Sequence, residues 1–293
     1  MQEFFDRPDP VPNRGEVLIR VDVAGVNPMD HVLRAGLLPG LDSGRPFPRV
    51  LGMEAAGTVL ALGEGVDGLE VGDPVFGFAL TGGGTYAETT LLSAPHTARI
   101  PMGLSATVAA TLPVAGTTAV DALDQLGLPA DATVLVNGVG GGVGLLVARL
   151  AVQRGLRVIG TGSTTKREPA EAIGVRFIDY TAGDVVAKAR ELVPDGFDGI
   201  VDVVGGTSLR TVAPLAKDSR NVIAVNDASV PETGGRFIER RMDRENLERA
   251  AQLALDGFLT PVITEVHPLS DAPAALAAVE NGRIPGKVII KVT

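Results

Sequence analysis

The chain contains no cysteine and no tryptophan, and tyrosine occurs only twice in 293 residues. Without cysteine there is no disulfide, no thiolate nucleophile, no iron–sulfur cluster and no cysteine-ligated zinc. Positive charge is also scarce, with 26 Lys and Arg against 35 Asp and Glu, a net charge of -9. Nucleic acid and anionic lipid both need a basic surface that displaces counterions, so neither is an expected partner. No apolar run approaches the roughly 20 residues that span a bilayer. The opening MQEFFDRPDPVP has neither the basic nor the apolar region of a secretory signal. A soluble protein of the cytoplasm is expected from these absences. What the chain does have is 45% hydrophobic residues, 37 glycines and 20 prolines, enough to build one large or two ordinary cores.

The rhythm of the sequence changes along its length. The first third reads as short strands punctuated by glycine and proline: EVLIRVDVAGV (16–26), AAGTVLALG (55–63), DPVFGFAL (73–80) and GTYAETTLL (84–92). Beyond Leu112, helical patterns alternate with strands that are apolar on both faces: VLVNG (134–138), RVIGTG (157–162), RFIDY (176–180), GIVDVV (199–204) and NVIAVN (221–226). Such alternation predicts an α/β unit with a parallel, doubly wound sheet buried between helices. The last fifty residues predict helices over 245–257 and 272–282 and a closing strand at 287–293. The charged run RFIERRMDRENLER (236–249) is expected to be a solvated helix start.

The segment VLVNGVGGGVGLLVARL (134–150) combines a strand, a glycine-rich turn and the start of a helix. Bare backbone amides and the positive end of the helix dipole then meet where a pyrophosphate can sit. Gly138, Gly141 and Gly144 recur every third residue, while Gly140 and Gly142 leave the backbone open to close approach. A P-loop would need Lys followed by Ser or Thr after the last glycine, and Leu145 and Leu146 stand there instead. A dinucleotide is therefore expected. An NAD site needs an acid near the end of the second strand for the ribose hydroxyls, yet AVQRGLRVIGTGSTTKR (151–167) contains none. In its place come Ser163, Thr164, Lys166 and Arg167, which supply hydrogen bonds and charge to a 2′-phosphate, so NADP(H) is the expected cofactor.

Four further motifs occur in a fixed order around this loop: AGVNPMDHVLRAG (24–36), LGMEAAGTVLALGEGVDGLEVGDPVFG (51–77), LPVAGTTAVDAL (112–123) and GRIPGKVIIKV (282–292). Together they resemble the medium-chain dehydrogenase/reductase superfamily, and within it the zinc-free quinone oxidoreductase, or ζ-crystallin-like, branch, from about Gly15 onward. The resemblance implies a Rossmann NADP-binding domain over 113–242, inserted in a GroES-like, β-rich substrate domain made of 1–112 and 243–293. It implies that Asn27 and Thr118 approach the nicotinamide and the substrate, and that Gly141, Gly142 and Val143 hold the pyrophosphate. Gly162, Ser163, Lys166 and Tyr180 match the adenosine 2′-phosphate pocket, and Asn226 borders the nicotinamide. Zinc-dependent relatives carry Cys where Asn27 aligns and His where Met53 aligns. The three histidines, His31, His96 and His267, lack ligand spacing and are read as ordinary surface or core residues.

Two departures stand out. Many zinc-free relatives place a Tyr after the RxG, where this chain has Leu37 and Leu38, a greasier pocket without that proton donor. Relatives also begin with an additional strand before the segment at 10–18, so a shortened N-terminus with reduced activity is an expectation. Without metal ligands, reduction of a simple ketone is disfavoured, whereas a quinone or an α,β-unsaturated carbonyl delocalises the developing charge. The expected activity is NADPH-dependent hydride transfer to such a small electrophile, with the Asn27 amide and the Thr118 hydroxyl or the nicotinamide ribose as hydrogen-bond donors, Asp30 structural and the proton from solvent. A 2-enoyl-thioester reductase of the same superfamily and a non-catalytic, crystallin-like NADPH-binding protein are the alternatives. By analogy, a homodimer would form through the last strand of the nucleotide-domain sheet, within 234–241.

Overall fold

The computed structural model describes residues 2–36, 49–79 and 83–292; Leu37 and Leu38 lie outside the described residues. The strands are β1 (Glu16–Val26), β2 (Glu54–Leu62), β3 (Pro74–Phe78), β4 (Thr89–Ser93), β5 (Thr97–Arg99), β6 (Thr133–Asn137), β7 (Arg157–Gly162), β8 (Arg176–Asp179), β9 (Gly199–Asp202), β10 (Val222–Ala224), β11 (Arg236–Phe237), β12 (Ile263–Pro268) and β13 (Lys287–Lys291). The helices are α1 (Pro28–Arg34), α2 (Ala106–Ala109), α3 (Thr117–Leu126), α4 (Gly142–Gln153), α5 (Arg167–Glu171), α6 (Val185–Leu192), α7 (Gly206–Val212), α8 (Arg244–Leu255) and α9 (Ala272–Glu280). They form two compact units. The first comprises Met1–Val114, Met242–Gly257 and Ile263–Thr293, and the second Ala115–Arg241 and Phe258–Val262.

In the first unit the strand order is β12-β13-β1-β2-β3-β5, with β4 also paired to β1. The sheet is organised by β1, whose apolar residues are buried along nearly its whole length because β13, β2 and β4 all pair with it antiparallel. Val17, Ile19 and Val21 from β1 pack with Val59, Leu92, Leu276 and Ile290 in one core. Each such side chain removed from water contributes about 1.5–3 kcal/mol. Two elements differ from expectation. The strand predicted from Gly84 begins only at Thr89, and β12, which the sequence pattern does not predict, pairs parallel with β13. Its alternating half-buried and exposed residues mark a sheet edge, and polar ITEVHP carries little apolar signal.

In the second unit all strand pairs are parallel, in the order β11-β10-β9-β6-β7-β8. This is the doubly wound arrangement expected from strands such as β6, in which every residue is buried. The chain runs outward from β6 through β7 and β8, then returns to the other side of β6 with β9. That reversal is a switch point, where the loops after the two neighbouring strands diverge and leave a crevice at their carboxyl ends.

The charged run at 236–249 is not simply a solvated helix start. Its strand β11 is an edge of the sheet, and α8 begins only at Arg244, where the Asp243 side chain caps it by accepting from Asn246 N (2.9 Å). Between them, Arg240 and Arg241 pair with the fully buried carboxylate of Asp121 at 3.4 and 3.0 Å. Composition alone could not reveal this partner, because Asp121 lies in α3, about 120 residues away in sequence.

Candidate functional site

The glycine loop of the second unit is built by steric exclusion. Gly138 follows β6 with φ +89°, a conformation that penalises any side chain. A Cβ on Gly144 would collide with Gly138 O and the Val139 backbone, so helix α4 can approach β6 only with glycine there. Gly160 is bare for the same reason, because the Val139 side chain fills the place of its Cβ. A methyl group on Gly141 would have its nearest neighbour 4.0 Å away, which leaves this part of the loop open. Gly142 and Val143 then form the first turn of α4, whose N-terminal amides and dipole offer an anion site.

A polar chain beneath the loop holds the strand ends together. Asn137 is in register with Thr161 on β7 and Asp202 on β9. Its Nδ2 donates to Asp202 Oδ1 (2.5 Å) and Ser208 Oγ (2.9 Å), and its Oδ1 accepts from Thr161 Oγ1 (2.6 Å). Thr161 in turn accepts from Gly138 N (3.1 Å), and Asp202 accepts from Gly205 N (2.7 Å). Burial raises the Asp202 carboxyl above its ordinary range, against the opposing hydrogen bonds from Asn137 and Gly205. On the same rim, Asn226 Nδ2 donates to Val203 O (3.0 Å), and Val203 packs against the Gly138 position.

The residues expected to read a 2′-phosphate gather after β7. Lys166 is partly buried with its alkyl chain laid against Gly140, which must be bare to admit it, and burial lowers its pKa. Ser163 Oγ lies 3.2 Å from Thr165 Oγ1. Phe177 packs on Gly162, leaving no room for a Cβ there, and carries the Arg167 guanidinium 4.8 Å from its ring centre. Arg167 also pairs with Glu171 at 2.9 Å. Tyr180 follows β8 with 57% of its surface exposed. The Thr164 hydroxyl donates to Asp179 Oδ2 (2.5 Å). Asp179, bonded also by Thr181, is held down to about 2 chiefly by these hydroxyls, so it stays anionic and keeps its donors.

In the first unit, three adjacent strands bring together residues that are far apart in sequence. Gly25 lies across from Glu54, and Val26 across from Val288. The ends of β1, β2 and β13 thereby juxtapose Asn27, Glu54 and Lys287, all at most 4% exposed. Asn27 Nδ2 donates to Glu54 Oε1 (2.8 Å), while Lys287 Nζ donates to Asn27 Oδ1 (2.7 Å) and Glu54 Oε1 (2.8 Å). Glu54 Oε2 accepts from Val114 N (2.7 Å). A Cβ on Gly25 would strike the Glu54 carboxylate and Ala110 O, which explains the glycine of AGVN. Below Asn27, the buried Asp30 Oδ2 accepts from Asn27 N and the Tyr86 hydroxyl, each at 2.8 Å. Burial pushes Asp30 up to about 7 despite these bonds.

Asn27 thus lies in the first unit, whereas Thr118 is buried in the first turn of α3 in the second. Sequence reasoning missed Glu54, Lys287 and Tyr86. The one sequence signal for them was the bare Gly25, which announces a close neighbour without naming it. The histidines serve locally: His31 pairs with Glu280, His96 bonds Met242 O, and His267 lies between Glu265 and Asp271, which raise its pKa.

With this geometry in place, comparison with known proteins identifies the family. Residues 13–102 match the alcohol dehydrogenase GroES-like domain, and residues 174–290 match the zinc-binding dehydrogenase family. A 2-methylene-furan-3-one reductase of Solanum lycopersicum is 35% identical over 287 residues, covering 94% of this chain and 71% of that protein. The solved quinone oxidoreductase of Coxiella burnetii superposes with a TM-score of 0.91 at 28% identity, covering 99% of this chain and 95% of its own. A mycobacterial protein solved in complex with NADPH superposes with a TM-score of 0.85 at 28% identity, covering 98% and 94%. The chain belongs to the medium-chain dehydrogenase/reductase superfamily, among its quinone oxidoreductases and enone reductases.

The zinc named by one family description does not fit the donors of this chain. Asn27 and Met53 stand where the resemblance expects Cys and His, and Lys287 already places an ammonium against Asn27. No group of three or more His, Cys, Asp or Glu among the described residues has the geometry to hold a metal. No helix among them is long and apolar enough to cross a membrane.

Proposed function

We propose that the protein is a zinc-independent, NADPH-dependent oxidoreductase that reduces a quinone or an α,β-unsaturated carbonyl. The observation that carries the reading is a glycine loop at a switch point, followed by Lys166 and no acid at the end of β7. The NADPH-bound relative and the enone-reducing relative support it. We assign nucleotide binding to the second unit, with Gly140, Gly141, Gly142 and Val143 at the pyrophosphate. Gly162, Ser163, Lys166, Arg167 and Tyr180 surround the 2′-phosphate, and Asn226 borders the nicotinamide. Substrate binding belongs to the first unit.

NADPH, when bound, supplies a hydride from its nicotinamide ring. The protein's task is then to orient the acceptor and to stabilise the oxyanion that develops on it. Asn27 carries a second Nδ2 hydrogen with no partner among the described residues, and this hydrogen is donated to the acceptor oxygen. A neutral amide donor suffices for a delocalised enolate or hydroquinone anion but not for a localised alkoxide. The proton comes from solvent. We further assign a homodimer joined at β11, a reading supported by the exposed edge residues Arg236 and Phe237; light scattering tests it.

Fluorescence titration with NADPH and NADH tests the cofactor, and NADPH oxidation against cyclohexenone and benzoquinone tests the reaction. Lys166→Ala is expected to weaken NADPH roughly tenfold or more, the value of about 1.4 kcal/mol of charge-assisted bonding, and to leave NADH unchanged. Equal loss for both nucleotides would remove Lys166 from the 2′-phosphate. Absence of turnover with either acceptor in a protein that binds NADPH would favour a non-catalytic binding role.

A further inference from the structure

Lys287 is 4% exposed, and its three N–H donors are matched by three acceptors: Asn27 Oδ1 at 2.7 Å, Glu54 Oε1 at 2.8 Å and Val26 O at 3.3 Å. An ammonium only donates and a carboxylate only accepts. The Asn27 amide is gripped between the two, oxygen toward Lys287 and nitrogen toward Glu54. Turning it over would set its NH2 against the ammonium and its oxygen against the carboxylate. Both contacts would be repulsive in a place closed to water, where unmatched polar groups cost most. An amide that neutral neighbours leave free to flip therefore has a single orientation here.

The cluster is also an expensive way merely to fill space. A buried ion pair loses hydration that well-packed apolar side chains never had, and replacing such a pair with apolar residues is often neutral or stabilising. Gly25 is nevertheless kept bare to admit the Glu54 carboxylate, and three strands end in register around it. Shape alone does not require these charges.

We infer that Lys287 and Glu54 are positioning residues of the acceptor site. They hold Asn27 so that its second Nδ2 hydrogen faces the substrate oxygen, and the ammonium on Oδ1 polarises the amide so that this hydrogen donates more strongly as charge develops. The assignment rests on the role given to Asn27 in the proposed function. It adds two residues, at the start of β2 and of β13, that neither touch the substrate nor exchange a proton with it.

The test is steady-state kinetics of the full chain with saturating NADPH and cyclohexenone, with NADPH affinity measured separately. Glu54→Gln and Lys287→Met are each expected to lower kcat roughly tenfold, equivalent to about 1.4 kcal/mol at the transition state, with KM and NADPH affinity unchanged. Lys287→Arg is expected to restore most of the loss. Asn27→Ala is expected to cost little further in the Lys287→Met background, because the same oriented hydrogen is already lost. Wild-type kcat in folded Glu54→Gln and Lys287→Met, or full and independent losses from Asn27→Ala in both backgrounds, overturns the assignment. Should Lys287→Met fail to fold, Glu54→Gln and Lys287→Arg decide the matter by the same criterion. Failure of the proposed function has a different signature, since wild-type protein would then bind NADPH and leave it unoxidised, and the assignment would fall with it.

Discussion

Two buried asparagines end strands in this protein, and they are held in opposite ways. Asn137, in the second unit, is flanked by the carboxylate of Asp202 and the hydroxyls of Thr161 and Ser208. Its side chain serves the backbone, tying β6, β7 and β9 so that a glycine loop above them can present its amides. Asn27, in the first unit, is flanked by an ammonium and a carboxylate. There strand register and a bare Gly25 bring both charges to one amide. Around Asn137, one carboxylate and two hydroxyls fix the path of the main chain without an ion pair. Around Asn27, opposite charges on either side remove the choice of orientation.

The largest effect separating the two should come from removing a charge. Lys287→Met leaves the buried Glu54 carboxylate uncompensated and is expected to cost about 3–5 kcal/mol of unfolding free energy, read by denaturant titration. Adding Glu54→Met should recover much of that loss. If the single variant is as stable as wild type, the ion pair is not buried as described.

The pH dependence of stability sharpens the comparison next. Asp30 is raised from its ordinary 3.8 to about 7 by burial, so between those values the folded state keeps a proton that the unfolded state releases. Stability contributed by this group is therefore complete below pH 4 and is lost as pH rises toward 7, at up to about 1.4 kcal/mol per pH unit. Asp30→Asn should flatten that decline, because the amide oxygen still accepts from Asn27 and Tyr86. An unchanged slope would mean that Asp30 ionises normally.

Asn137→Ala is expected to cost about 1–3 kcal/mol, the penalty for stranding buried partners that are mostly neutral, together with weaker NADPH binding. The smallest effect is the most discriminating. The methyl group of Gly141→Ala comes no closer than 4.0 Å to its nearest neighbour, so its Tm should match wild type while NADPH affinity falls. Gly144→Ala collides with backbone and should lower both. If Gly141→Ala changes neither, the loop does not approach a nucleotide.

Legibility followed the same division. The second unit could be read from sequence because its signals are local: β6 carries the apolar run Val134–Leu135–Val136, and the glycines follow within seven positions. The partner of Thr164 was not legible because a hydroxyl's partner cannot be read from composition, and Asp179 lies fifteen residues away. The run around Arg240 and Arg241 misled because its partner, Asp121, is about 120 residues distant. β12 was invisible because an edge strand has little apolar pattern to betray it.

The sequence by itself determined the doubly wound sheet, the glycine loop and the basic residues that follow β7, because steric exclusion, apolar periodicity and charge act between near neighbours along the chain. Only the tertiary structure decided which groups face Asn27. Glu54 and Lys287 lie 27 and 260 residues from it, and strand register, set by the burial of apolar faces on β1, β2 and β13, is what carries them to one point.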